Sequence, residues 1–186
     1  MKDYPITIGI DDAKFKLKSN STKTYLVGVV CQGTRIVNVL KMPIDIDGDN
    51  ATRGIIDLVE PNEKHVQYIL TETITFGGFN IIDIQEIFKE TNKPVIAITE
   101  RLVNLEGVKE ALVKKFPETY KSKFNKILNA GNLYETQILT AGGKSTIYFH
   151  VEGLKVSEVE DLLQKLCIDS KLPEPLRLAH IIGTLF

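Results

Sequence analysis

Two adjacent aspartates, Asp11 and Asp12, close a short apolar run, Ile6–Ile10, near the start of a 186-residue sequence. A carboxylate leaving a buried strand offers the hard oxygen ligand that Mg²⁺ selects. An aspartate pair opening a loop can equally cap backbone donors. A second acidic group follows in Ile44-Asp45-Ile46-Asp47-Gly48-Asp49-Asn50-Ala51-Thr52. Its D-x-D-G-D core is shaped like part of a calcium loop, yet position 56, where such a loop needs Glu, is Ile. Asp49 or Asn50 falls where the next helix begins, either as its cap or, for Asp49, as a second metal ligand across from Asp11. Glu72 ends a later apolar run and offers a third carboxylate. Gly77-Gly78 predicts a tight turn or a close backbone approach. Asn80 is placed to cap the following helix or to meet a phosphate. Near the end, Pro173-Glu174-Pro175 opens a helix, because proline in a first turn wastes no backbone donor. Arg177 and His180 then share one face of it. Arg177 can fork onto a phosphate or pair with a carboxylate, and His180 can serve a metal or pack half-buried. The chemistry this set suits is metal-assisted phosphodiester hydrolysis.

The elements that must position these side chains follow from hydrophobic period. Ile6–Ile10, Thr24–Cys31 and Arg35–Leu40 read as three strands joined by short links, the second suited to a hairpin. Ala51–Glu60 has helical spacing and stops at Pro61. Val66–Leu70 is a strand, Ile81–Glu90 an amphipathic helix and Pro94–Ile98 another strand, the order of a parallel crossover. Val108–Phe116 and Tyr120–Leu128 are further helices. Tyr134–Leu139 and Ile147–Val151 flank Ala141-Gly142-Gly143-Lys144 as an added hairpin, and Ser157 with Glu160 predicts a capping box for a helix through Leu166. The order β-β-β-α-β-α-β-α is the ribonuclease H-like arrangement, a mixed sheet with helices on both faces.

Composition is that of a globular chain: 43% apolar and 25% charged, with a net charge of −1. That balance excludes a global basic field for nucleic acid and leaves room for a local one. Lys109, Lys114, Lys115, Lys121, Lys123 and Lys126 gather on predicted helices, a solvated face in the plainer reading and a phosphate-contact surface in the other. Cys31 and Cys167 lack metal or redox spacing and read as buried thiols. No leader is visible and no apolar run approaches the roughly 20 residues of a membrane span. The expectation is one cytoplasmic domain over 1–186, with no membrane partner.

Taken as a set, Gly9-Ile10-Asp11-Asp12, Asp47-Gly48-Asp49-Asn50-Ala51-Thr52, Gly77-Gly78-Phe79-Asn80 and Pro173–His180 resemble an uncharacterised, mostly archaeal family distantly related to endonuclease V. The resemblance spans nearly the whole chain. It implies an endonuclease V-like fold, Mg²⁺ or Mn²⁺ as cofactor, and DNA or RNA as partner. By position it implies catalytic roles for Asp11, Asp49 and His180, and metal ligation by Asp11, Asp12, Asp49 and Glu72. Arg177 and Asn80 are the expected phosphate or substrate contacts. This chain departs from endonuclease V in carrying Thr71-Glu72 where the relatives have Asp-Gly. A carboxylate one residue late points to the opposite face of a strand unless the strand has ended or bulged. The wedge segment of endonuclease V also has no counterpart, Met42-Pro43-Ile44 being unlike it.

Two function classes follow. One is a metal-dependent nuclease. The other is a non-catalytic module on a degenerate nuclease fold, binding nucleic acid or protein, whose acids serve as caps and ion pairs. A small-molecule phosphatase has no specific residue behind it.

Overall fold

Thr7 through Asp11 are buried without alternation, as a strand must be when helices cover both faces of its sheet. The computed structural model describes residues 3–15 and 21–186. Strand β1 (Ile6–Asp12) pairs antiparallel with β2 (Lys23–Gln32), and β2 with β3 (Arg35–Asp45). Gly33, at φ +59°, turns the chain between β2 and β3. Helix α1 (Ala51–Val59) then buries Ile55, Leu58 and Val59 at 2% exposure or less, each contributing about 1.5–3 kcal/mol. Pro61 stands in a 3₁₀ turn, Glu60–Asn62, that follows it.

Strand β4 (Tyr68–Glu72) lies parallel to β1. It starts two residues later than the apolar run suggested. The backbone of His65 and Val66 is still bonded to Asn62, and Gln67 is tied to Ile6. A small ribbon, β5 (Thr75–Phe76) and β6 (Asn80–Ile81), comes next. It takes Ile81 out of the expected helix and Asn80 away from its N-terminus, so α2 runs Ile84–Thr91. Its cap is Asp83, whose carboxylate accepts the Gln85 and Glu86 N–H groups.

Strand β7 (Val95–Thr99) is parallel to β4, and α3 (Leu105–Lys115) and α4 (Tyr120–Asn129) follow. The hairpin of β8 (Tyr134–Thr140) and β9 (Gly143–Glu152) extends the main sheet, β9 pairing antiparallel with β7. The seven-stranded order is β3-β2-β1-β4-β7-β9-β8. Helix α5 (Val156–Leu166) starts two residues early for the expected capping box, and Glu158 rather than Glu160 reaches back, to the Lys155 N–H. Helix α6 (Glu174–Gly183) opens with Pro175 in its first turn, as its sequence demands.

One face of the sheet packs on α1 and α2 through Ile8, Ile10, Leu26, Ile69 and Val95. On the other, Leu70, Ile96 and Phe149 meet α5 and Leu176, while Val27, Val29 and Cys31 meet Ala179 of α6. The sheet is therefore covered on both sides. Among the described residues, no helix is long and apolar enough to cross a membrane.

Candidate metal centre

Strand register builds the site. Ile10 of β1 lies opposite Thr71 of β4 in a parallel pair. The next residues along each strand, Asp11 and Glu72, therefore stand side by side and face the same way. That face carries Gly9 and Leu70 two residues earlier, and α6 covers it. An added Cβ at Gly9 would lie 2.3 Å from the Pro175 carbonyl carbon, and one at Gly183 would lie 2.9 Å from the Asp12 carbonyl oxygen. Glycine at both points lets α6 rest directly on the strand.

This contact delivers His180. Its Nδ1 is 2.8 Å from Asp11 Oδ2 and 3.7 Å from Glu72 Oε2. One donor atom from each of Asp11, Glu72 and His180 lies within 4.8 Å of the others. With Asp11 ionised, the Nδ1–H donates to it. The other carboxylate oxygen, Oδ1, accepts the Asp12 N–H at 2.8 Å. The register settles which face Glu72 takes: it stands beside Asp11, while Thr71 takes the opposite face, fully buried, its hydroxyl donating to the Thr73 carbonyl. Strand β4 ends at Glu72, and Thr73 turns away at φ +66°.

Asp12 closes the opposite side, accepting the Gly77 N–H. Gly77 and Gly78, both at positive φ, make the predicted tight turn between β5 and β6. A cavity of about 390 Å³ opens over these groups, lined by Asp11, Asp12, Glu72, His180 and Lys14. Its electrostatics are unrelieved. Burial first, and then the Asp11 charge, pushes the Glu72 carboxyl up to about 7. Burial and the Asp12 charge raise Asp11, and burial raises Asp12 despite the Gly77 N–H. The hydrogen bond to Asp11 raises His180. Glu72 Oε2 is buried and takes no hydrogen bond. Hard oxygens crowded together, one lacking any donor, fit a divalent cation, which would relieve their repulsion.

The other expected site residues go elsewhere. Asp49 pairs with Lys126 at 2.7 Å, is 64% exposed, and opens onto a different cavity beside Phe116 and Lys123. Arg177 forks onto Glu174, with two bonds of 2.7 Å. Asn80 caps α1 rather than α2: its Oδ1 accepts the Ala51 N–H while its Nδ2 donates to the Asp45 carbonyl and to Asn50 Oδ1. Asp45, Asp47 and Asp49 do not act together, because Asp47 turns at φ +58°. Asp47 binds Lys115 and the Phe79 N–H.

Two lysines have roles that local sequence does not announce. Lys123, 4% exposed, gives its ammonium to the carbonyls of Asp47, Gly48 and Phe79, so three of the helical lysines pin the acidic loop. Helical spacing gave no sign of it. Lys14 lines the metal cavity, and its closeness to Asp11-Asp12 in sequence was the available signal.

A mixed sheet of this order, covered on both faces, is a ribonuclease H-like fold of the kind seen in endonuclease V. The Endonuclease dU family matches residues 6–186, and the chain belongs to that family. The UPF0215 protein PH0071 of Pyrococcus horikoshii is 35% identical over 179 residues, covering 95% of this chain and 89% of its own. A crystal structure of a protein of unknown function from Archaeoglobus fulgidus is similar at a TM-score of 0.83 and 31% identity, covering 96% of each chain. Endonuclease V of Ciona intestinalis, in complex with a 24mer DNA containing an inosine, is similar at a TM-score of 0.62 and 12% identity. That match covers 95% of this chain and 83% of the other; at such identity the likeness is one of fold. The resemblance read from the motifs, to mostly archaeal relatives of endonuclease V, holds.

Proposed function

We propose that this protein is a divalent-metal-dependent endonuclease that hydrolyses a phosphodiester bond of DNA or RNA beside a deaminated base. The observation that carries the reading is the convergence of Asp11, Glu72 and His180 from β1, β4 and α6. The substrate class is supported by the family's description, which names deoxyuridine, and by the inosine in the DNA of the Ciona neighbour. Asp11 and Glu72 are the residues to hold Mg²⁺ or Mn²⁺, with Asp12 beside them. The ion, when bound, would polarise the scissile phosphate and make water a stronger nucleophile at neutral pH.

The chain's own groups supply the rest. Asp11 fixes the His180 ring through Nδ1, leaving the imidazole to move a proton at the reacting oxygen. Lys14 places a positive charge on the cavity wall for a phosphate oxygen. The Gly77 N–H steadies Asp12. We also read residues 1–186 as one domain and place it in the cytoplasm, where its two buried, unpaired thiols would stay reduced.

The test is cleavage of labelled DNA and RNA carrying uracil or inosine, in Mg²⁺ and in Mn²⁺, with Asp11→Asn beside the parent. Metal-dependent cutting that Asp11→Asn abolishes establishes the activity. No cutting of any substrate, by protein shown to be folded, overturns it in favour of a nucleic-acid- or protein-binding module. The observation behind that second reading is that Asp49 and Arg177 are already spent on ion pairs within the chain, with Lys126 and Glu174.

A further inference from the structure

A second cavity adjoins the metal cavity, and its chemistry is different. Tyr25 and Phe186 are neighbours, their rings tilted by 49° with centroids 6.2 Å apart. The Lys41 ammonium lies 4.8 Å from one centroid and 4.5 Å from the other. Lys14 and Lys23 line the same cavity, of about 270 Å³, and among the described residues no Asp or Glu side chain does. The aromatic residues remain 38% and 50% exposed. In a chain of net charge −1, three lysines around two open rings form a local basic and aromatic patch.

Register ties the patch to the metal centre. Asp11 lies opposite Val27, and Val27 opposite Lys41, so Glu72, Asp11, Val27 and Lys41 form one row on the face that α6 covers. Adjacent strands stand about 4.8 Å apart, which puts the Lys41 backbone roughly 10 Å from that of Asp11. Each strand of a duplex advances about 3.4 Å per nucleotide and an unpaired strand can extend further, so the interval is at most about three nucleotides. Tyr25 continues this face along β2, its carbonyl accepting the Ala13 N–H at 2.7 Å. Lys14 lines both cavities, and its N–H donates to the Gly183 carbonyl of α6.

We infer that Tyr25 and Phe186 form a stacking platform for an unpaired nucleobase of the strand that crosses the metal centre, with Lys14, Lys23 and Lys41 neutralising its phosphates. The inference rests on the nuclease reading for the direction of the strand, and it adds that the substrate beside the scissile bond is single-stranded or locally opened. Aromatic faces accept any base, while lysines follow the backbone, so the patch confers affinity for unpaired strand with little sequence preference.

Fluorescence anisotropy of labelled oligothymidylate, oligouridylate and a blunt DNA duplex, in EDTA to prevent cutting, tests this with the whole chain. Tyr25→Leu and Phe186→Leu keep apolar bulk and remove the ring; each is expected to weaken single-strand binding on the order of tenfold while leaving duplex binding and Tm unchanged. Tyr25→Phe retains the ring and should bind like the parent. Lys41→Gln should lower the salt slope by about 0.7, the loss of one phosphate contact on a single strand. The inference is overturned if the leucine variants, with unchanged Tm, bind single strands as tightly as the parent. It is also overturned if Tyr25→Phe falls as far as Tyr25→Leu. Cleavage and Mn²⁺ binding, measured on the same preparations, separate the two ideas. Ring-dependent binding without any cutting sinks the nuclease reading and sustains the platform. Cutting that persists with ring-independent binding sinks the platform alone.

Discussion

Gly9 lies so close under Pro175 that one added carbon would sit 2.3 Å from a backbone atom of α6. The helix that carries His180 is thus seated on the strand that carries Asp11 at a point two residues from the acid itself. Gly9→Ala should lift α6 and cost about 1–3 kcal/mol, the usual penalty for overpacking. Thermal unfolding would show a lower Tm, and Mn²⁺ titration a weaker site. An unchanged Tm would mean that α6 does not press on β1.

Glu72 should behave unlike an ordinary buried acid. Its Oε2 lacks a hydrogen bond and Asp11 repels it. Glu72→Gln is therefore expected to leave the metal-free protein as stable or more so at pH 8, while abolishing stabilisation by Mn²⁺. Melting curves with and without the ion decide it: a destabilised, still metal-responsive variant counts against the assignment.

The pH dependence has a definite sign. The folded-state pKa of Glu72, about 7, stands above its ordinary 4.5. Its contribution to stability is therefore fully present below about pH 4.5 and is lost as pH rises through 7. At about 1.4 kcal/mol per unit the ceiling is roughly 3 kcal/mol. The observed value should be smaller, because a quarter of the side chain stays exposed. Denaturant melts of parent and Glu72→Gln across this range should diverge with that slope. Mn²⁺, competing with the proton, should stabilise the parent more at pH 8 than at pH 6.

The lysines under the acidic loop should separate by burial. Lys123→Met strands three carbonyls inside the protein and is expected to cost about 1–3 kcal/mol. Lys126→Ala, whose partner Asp49 is largely exposed, should cost less than about 1 kcal/mol. Asp49→Asn is expected to leave metal-dependent cutting within a few-fold of the parent; a complete loss in the cleavage assay would bring Asp49 into the metal shell.

What the sequence discloses and what it hides divides along range. Asp11 was legible because an acid at the end of an apolar run is a local pattern, whereas His180 stood out through the family resemblance of Pro173–His180, its helix position alone leaving a packed histidine open. Glu72 was named as a ligand beside Asp11, but the face it takes was not legible, since faces depend on register and a slip of one residue reverses them. Asn80 was assigned to the wrong helix for a related reason: the N–H it caps is 29 residues away, and local spacing points only to the helix that follows. Lys123 carries a charge at a helical position, which ordinarily means solvent, and only tertiary packing brings three carbonyls to it. The hairpin of β8 and β9 could be recognised from its turn, but its docking against β7 could not.

Asp11 and His180 stand 169 residues apart in the chain. On the ribosome, the two acids emerge long before the imidazole and the helix that covers them, and domains fold as synthesis proceeds. A nascent chain therefore holds an open, uncovered pair of carboxylates with no competent centre. The cluster of Asp11, Glu72 and His180 can close only once α6 has docked on β1. A chain halted before α6 would lack both the imidazole and the helix that covers the two acids, and could not form the cluster.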